Sequence, residues 1–306
     1  MDSIGRHPAC PNEHHVKDFA RFYRDQRGNR PDTVKKKILR LNKAYEYWQN
    51  DPVFPHPHDY NPFNLARTKL SLDAPQVDDP PRIPIGELGG IVQDITHIRD
   101  RSVVVAQLKL GLRAGELCNI QFQDIHIENT ELDRFYPELG NHWMLKGRKN
   151  AIFIPPAPNN DLPTEGRKGN KSRRPRVLPL DDELRRVLLR WLLIRPDTGD
   201  PWLFLSKNHH DRLETQGVNH IWKAAFHPEY AESQRHRGVT SHFGRHRFST
   251  YWRVEQDLNR ELVKYMRGDV TRSTALDDRS AIDDYIHSYY DDIKRPYRER
   301  IYRFNI

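Results

Sequence analysis

Cysteine is almost missing from this 306-residue chain, with only Cys10 and Cys118 present. That scarcity excludes a disulfide framework and a thiolate set for structural zinc, and it points to a reducing cytoplasm. Cys10 lies near His7, His14 and His15, a grouping that reads as a polar, frayed N-terminal segment rather than a metal site. Long apolar runs are missing as well. No stretch approaches the ~20 residues needed to span a bilayer. The start Met1-Asp2-Ser3-Ile4-Gly5-Arg6-His7 lacks the hydrophobic centre of a signal peptide, so the chain reads as soluble and unexported. Internal repeats and low-complexity tracts are absent. Acidic residues are in deficit, 42 against 50 Lys and Arg, for a formal net charge of +8. This excess favours a polyanionic partner, nucleic acid foremost.

Aromatic residues, by contrast, are plentiful. With 36% hydrophobic residues, 6 Trp, 13 Tyr and 12 Phe, the chain has enough apolar surface to fold. Its length suits two domains. Val16, Phe19, Ala20 and Tyr23, then Val34, Ile38, Leu41, Ala44, Tyr45 and Trp48, recur at helical spacing, with Asp32 or Thr33 as N-cap candidates. Lys35, Lys36, Lys37, Arg40 and Lys43 form a basic face on the second of these helices. Prolines 75, 80, 81 and 84 then hold the backbone extended. The expected organisation is a helical unit over 1–75, a Pro-rich linker over 76–84 and a larger domain over 85–306. Within the larger domain the spacing predicts helices over Ile85–Val92 and Val103–Leu110, with Gly111 as a C-cap before a helix carrying Glu116, Leu117 and Ile120. Short strands are expected at His142–Leu145, Ala151–Ile154 and Arg176–Leu178, and helices return from Asp181 onward. The fold class is mainly α with one small antiparallel β-sheet.

Ser241 is a cap candidate for a helix whose first turn holds His242 and Arg245, and residues three apart share a helix face. Arg113 comes from a distant segment. Two guanidinium groups converging on one phosphate can neutralise it and stabilise the added charge of a five-coordinate transition state without a metal. The turn-forming run Gly166–Arg176 offers Lys168 and Lys171 as cations able to protonate a leaving alkoxide. Tyrosine, with a pKa of ~10, needs positive neighbours or a base to become a nucleophile. Ala281–Tyr290 holds three tyrosines, at 285, 289 and 290.

Arg113 in Leu110–Leu117, His242-x-x-Arg245, and a later Tyr285-Ile286-His287 resemble the tyrosine recombinase (phage integrase) family, in its archaeal flavour. Its signature is Arg, Lys, His-x-x-Arg, a later His or Trp, and a nucleophilic Tyr. The resemblance implies that Glu116 supports Arg113 and that residues 16–50 belong to a core-binding domain that grips DNA. It also implies a 3′-phosphotyrosyl intermediate, no metal or other cofactor, and double-stranded DNA held by a homotetramer. The lysine stays open: counting back from Val177-Leu178-Pro179-Leu180 favours Lys171, whereas the Gly169-Asn170-Lys171 turn favours Lys168. Tyr285 is preferred for the His two residues on, with Tyr289 and Tyr290 as alternatives. Asp269 stands where the family has His or Trp, and a carboxylate there repels phosphate unless protonated or turned away. Val270–Ser280 reads as an inserted loop. The segment after Tyr285, with Ile286, Tyr289, Ile293, Tyr297 and Ile301 at near-helical spacing, packs either on its own domain or on a neighbouring protomer. Rival readings are a metal-dependent nuclease using the Asp pairs at 78/79, 181/182, 277/278, 283/284 and 291/292, a DNA-binding protein disabled by Asp269, and a topoisomerase.

Overall fold

The computed structural model describes residues 7, 9–53, 56–72, 80–157, 166–169, 171–172, 174–233, 236–269 and 279–306, with the backbone alone over 279–288. The chain divides into two compact units, 1–78 and 79–306.

In the first unit, α1 (Glu13–Arg21) runs through one π turn into α2 (Pro31–Gln49), followed by α3 (Pro62–Lys69). Their apolar stripes meet in a core of Val16, Ala20, Val34, Ile38, Tyr45, Phe63, Ala66 and Leu72. Helix α2 starts two or three residues earlier than the Asp32/Thr33 caps implied. Pro31 takes the first helical position, where its missing N–H costs nothing, and Arg30 is the N-cap. Helix α3 escaped the periodicity because it is short, although Asn61-Pro62 is a start signal: the Asn61 side chain accepts from Phe63 and Asn64 N–H. On α2, Lys36, Arg40 and Lys43 are exposed, while Lys37 lies over the Tyr23 ring.

The second unit contains α4 (Ile85–Asp94), α5 (Ile98–Leu110), α6 (Ala114–Cys118), β1 (Ile125–His126), α7 (Thr130–Phe135), β2 (Ala151–Ile154) and β3 (Arg176–Pro179). It continues with α8 (Asp182–Ile194), α9 (Thr215–Phe226), α10 (Ser241–Thr250), α11 (Arg260–Arg267) and α12 (Arg279–Arg300). Helix α5 is its axle. Val103, Val104, Leu108 and Leu110 are fully enclosed, so this helix has apolar residues all round, as a central helix must, and α8 and α10 pack along it. Its polar residues are each satisfied. Gln107 Oε1 accepts from Trp222 Nε1 at 2.5 Å, and the ammonium of Lys109 meets Asp181, Glu183 and the Tyr302 carbonyl at 2.7, 2.8 and 3.0 Å. Strands β1, β2 and β3 form a three-stranded antiparallel sheet in that order, with Ile152 opposite both Ile125 and Leu178.

The strand expected at His142–Leu145 is a 3-10 turn, Trp143–Leu145. His142 Nδ1 accepts from Met144 N–H and closes the chain into a turn, and the third strand is instead Ile125–His126, too short to show alternation. Residues 289–306 pack on their own unit. Tyr297, Tyr302 and Phe304 are buried, and Phe304 N–H donates to Glu183. No helix among the described residues is long and apolar enough to cross a membrane.

Candidate active site

Gly111 decides where the first arginine goes. It ends α5 in the left-handed region at φ 63°, and a Cβ there would stand 2.5 Å from the Phe248 ring of α10. The bare glycine lets α10 approach and turns the chain so that Arg113, N-cap of α6, faces Arg245 of α10. Arg245 is buried and donates through Nη1 to the carbonyls of Gly111 and Arg267, both at 2.9 Å. Three chain segments are thereby tied to one guanidinium.

Beneath them lies Glu116, fully enclosed. Its Oε2 accepts from the Arg113 backbone N–H at 2.7 Å and from Arg176 Nη2 at 3.2 Å. Its Oε1 takes Arg113 Nη1 at 3.3 Å and Arg176 Nη1 at 3.2 Å. Burial pushes the carboxyl toward protonation, but Arg176, Arg245 and the Arg113 N–H more than reverse this, leaving its pKa below the ordinary carboxylate value and the group ionised. Burial likewise pulls Arg245 down to about 9, while Glu116 and Asp269 oppose that pull, and the guanidinium stays cationic at neutral pH.

Arg176, the first residue of β3, is the participant that sequence reasoning missed. It is fully buried, with Nε donating to the Met266 carbonyl at 2.8 Å. Gly268 makes room for it. This residue caps α11 at φ 65°, and a Cβ would come within 2.4 Å of Arg176 Nη1 and 2.6 Å of Ser172 Oγ. Gly268→Ala is expected to lower stability by about 1–3 kcal/mol, from the left-handed backbone and the displaced guanidinium. A thermal melt of the full chain checks this; an unchanged midpoint would contradict the close packing.

Asp269 follows at the mouth. Its Oδ1 accepts from Arg113 Nη2 at 3.0 Å and from Arg245 Nη2 at 2.6 Å, and Arg267 Nε lies 3.0 Å from Oδ2. The carboxylate is therefore turned into the arginines, not away from them. Four guanidinium groups surround two carboxylates, and the cluster keeps a positive excess. His242, one helical turn before Arg245, is exposed at the rim. Partial burial lowers its pKa, with His246, Arg245, Arg113 and Arg267 acting the same way, so its ring is neutral at pH 7 and offers both a donor and an acceptor. Ser241 is the first residue of α10, not its cap. Thr240 holds that position without a side-chain bond, and the Ser241 hydroxyl donates to Asn219 instead.

The remaining predicted residues lie outside this constellation or beyond description. Lys168 is exposed and pairs with Glu214 at 2.5 Å, and its backbone is held by Asn119. Lys171 is exposed and makes no ion pair or hydrogen bond among the described residues. Tyr285 lies on α12, where its side chain is outside the described residues, as are residues 270–278 of the expected inserted loop. Tyr289 stacks on Tyr265 at 5.1 Å. Tyr290 is a core residue among Met144, Leu145, Phe153 and Val177. Burial raises its pKa, opposite to the activation that a nucleophilic phenol needs. Of the Asp pairs, Asp181 caps α8 and binds Lys109. Among the described residues no three His, Cys, Asp or Glu converge as a metal site would need.

The phage integrase family model matches residues 87–268, which hold Arg113, Glu116, Arg176, His242 and Arg245. Tyrosine recombinase XerA of Pyrococcus horikoshii is 24% identical over 190 residues, 61% of this chain and 52% of its own. XerA of Pyrococcus furiosus is 26% identical over 177 residues, 58% of this chain and 48% of its own. The chain thus spans about half the length of the curated relatives it matches. A Tn1549 transposon integrase solved with circular intermediate DNA superposes with a TM-score of 0.57, covering 95% of this chain and 82% of that one at 16% identity. A lambda integrase tetramer bound to a Holliday junction gives 0.53, covering 87% and 67% at 11% identity, so the fold is shared where the sequence is not. By its helical architecture with the small sheet, its ordered arginines and the span of the match, the chain belongs to the phage integrase family of tyrosine recombinases.

Proposed function

We propose that this chain is a site-specific DNA recombinase that cuts and rejoins double-stranded DNA through a 3′-phosphotyrosyl intermediate. The single observation that carries this reading is the convergence of Arg113 Nη2 and Arg245 Nη2 on one oxygen, at 3.0 and 2.6 Å. Two fixed donors aimed at a single anionic atom are what a non-bridging phosphate oxygen requires.

In this mechanism the Tyr285 hydroxyl releases its proton to solvent and its oxygen attacks the scissile phosphorus. The P–O5′ bond breaks and the leaving 5′ oxygen takes a proton, assigned to Lys168 or Lys171. Arg113, Arg245 and His242 hold the non-bridging oxygens as charge builds. The phosphotyrosyl ester conserves the energy of the broken bond, so attack by another 5′ hydroxyl rejoins the strand without ATP. We assign residues 1–75 the gripping of DNA, with Lys36, Arg40 and Lys43 offered to phosphates, residues 76–84 the linker and residues 85–306 the chemistry. Four protomers on two DNA sites, in the cytoplasm, complete the reading. The relatives named recombinases and the integrases solved on DNA support it.

The test is a nicked suicide duplex that lets the cleaved strand escape and traps the covalent complex. An SDS-resistant adduct that forms in EDTA and whose digest maps the nucleotide to Tyr285 is the expected outcome. Cleavage that stops on chelation would instead favour a metal nuclease. Gel retardation without any adduct would leave a DNA-binding protein, and relaxation of supercoiled plasmid without recombinant products would leave a topoisomerase.

A further inference from the structure

We propose that Asp269 is a built-in occupant of the phosphate seat, so that substrate must displace its carboxylate before the two arginines can engage. The inference rests on the recombinase reading for the identity of the substrate, and on the geometry for everything else.

The two carboxylates of the cluster do different things. Glu116 is enclosed, and its partners leave it no route outward. Asp269 stands at the opening, with its side chain 27% exposed and that of Arg113 25% exposed. Nη1 of Arg245 is committed to two backbone carbonyls and Nη1 of Arg113 to Glu116, which leaves the Nη2 pair as the convergent donors. Both of these point at Asp269 Oδ1. A carboxylate oxygen and a non-bridging phosphate oxygen carry similar partial charge and accept the same charge-assisted bonds, so they compete for one place.

Arg267 supplies the alternative berth. Its Nε lies 3.0 Å from Oδ2, on the other side of the carboxylate, and its side chain is 33% exposed. A rotation of the Asp269 side chain can therefore keep the Arg267 contact while vacating the Nη2 pair. Until then the carboxylate holds Arg113 and Arg245 together against their mutual repulsion. The residue thus sets two properties at once: the cradle keeps its shape without DNA, and weak anions are excluded from it.

The experiment compares the full-length wild type with Asp269→Ala and Asp269→Asn, using inorganic phosphate as the probe, by titration calorimetry and by melting with and without phosphate. Both variants are expected to bind phosphate roughly tenfold more tightly than wild type, the size of one competing charge-assisted hydrogen bond. Their melting midpoints should also gain more from phosphate than the wild-type midpoint does. Adding Arg113→Ala to either variant should remove the gain. Phosphate binding that is unchanged or weaker in both variants overturns the proposal and makes Asp269 a plain ion-pair partner. Should Asp269→Ala not fold, Asp269→Asn keeps the side-chain shape without the charge and decides alone. The suicide-substrate assay separates the two levels. An adduct from wild type with no tightening in the variants defeats the seat and leaves the recombinase. Tightening with no adduct from any of the proteins defeats the recombinase and leaves the seat.

Discussion

Arg245→Lys is expected to slow formation of the covalent DNA adduct by roughly 10²–10³-fold while leaving the fold in place. That is the usual cost of removing one preorganised donor from a developing oxyanion. Lysine keeps the charge but not the fork. In Arg245 one nitrogen, Nη1, is anchored by the carbonyls of Gly111 and Arg267, which aims the other, Nη2, at the seat. A single ammonium cannot satisfy the anchors and reach the phosphate together. Single-turnover adduct rates measured beside the circular dichroism of the same preparations give the answer. A loss under threefold with an unchanged spectrum would mean that Arg245 is structural only and that the catalytic cation lies elsewhere.

Glu116→Ala should produce the largest loss of stability in the chain. Its carboxylate is the counter-ion for Arg176 and contributes to holding Arg113 and Arg245, all within 3.9 Å. Removing one partner of a buried pair leaves uncompensated charge and costs about 3–5 kcal/mol. For a unit of this size that corresponds to a fall of roughly 6–20 °C in melting midpoint. The companion Glu116→Ala/Arg176→Met should recover a substantial part, because it withdraws the stranded cation as well. The pH dependence has a definite sign. A carboxyl whose folded pKa is depressed adds stability that is fully present above its unfolded value and is lost as acid carries the pH down through the folded one. Wild type should therefore lose this contribution only below the ordinary carboxylate range, and Glu116→Ala should show a flatter acid limb. Coincident acid limbs would contradict an ionised Glu116.

What the sequence made legible was local. Gly111 ahead of Arg113, the Glu116 three residues on, and the His242-x-x-Arg245 turn are all short-range arrangements, and short-range spacing survives without knowledge of the fold. Arg176 was hidden for the opposite reason. It closes a basic run where an expected strand begins, and only its distant partners, Glu116 and the Met266 carbonyl, bring its side chain inside. The bearing of Asp269 was equally out of reach, because the repulsion expected between carboxylate and phosphate says nothing about three arginines drawing that carboxylate inward. Among the strands, Ala151–Ile154 and Arg176–Leu178 were expected, the latter running one residue further to Pro179, whereas the two residues of β1 hold no periodicity to read. Tyr290 illustrates the converse limit. Three tyrosines lie close in sequence, and burial, which sequence does not carry, marks Tyr290 as a core phenol.

Two arginines of the basic run that carries the lysines are anchored. On one side Arg167 is pinned through Asp124 at 2.7 Å, and on the other Arg176 is locked to Glu116 at 3.2 Å. Between these posts Lys168 is restrained by a solvent-facing contact with Glu214, a kind of pairing worth at most ~1 kcal/mol. If Lys168 is the proton donor of the proposed reaction, leaving Glu214 asks little of it, because thermal agitation alone breaks such a contact readily. In the proposed reaction Glu214 would thus hold Lys168 close by without delaying it.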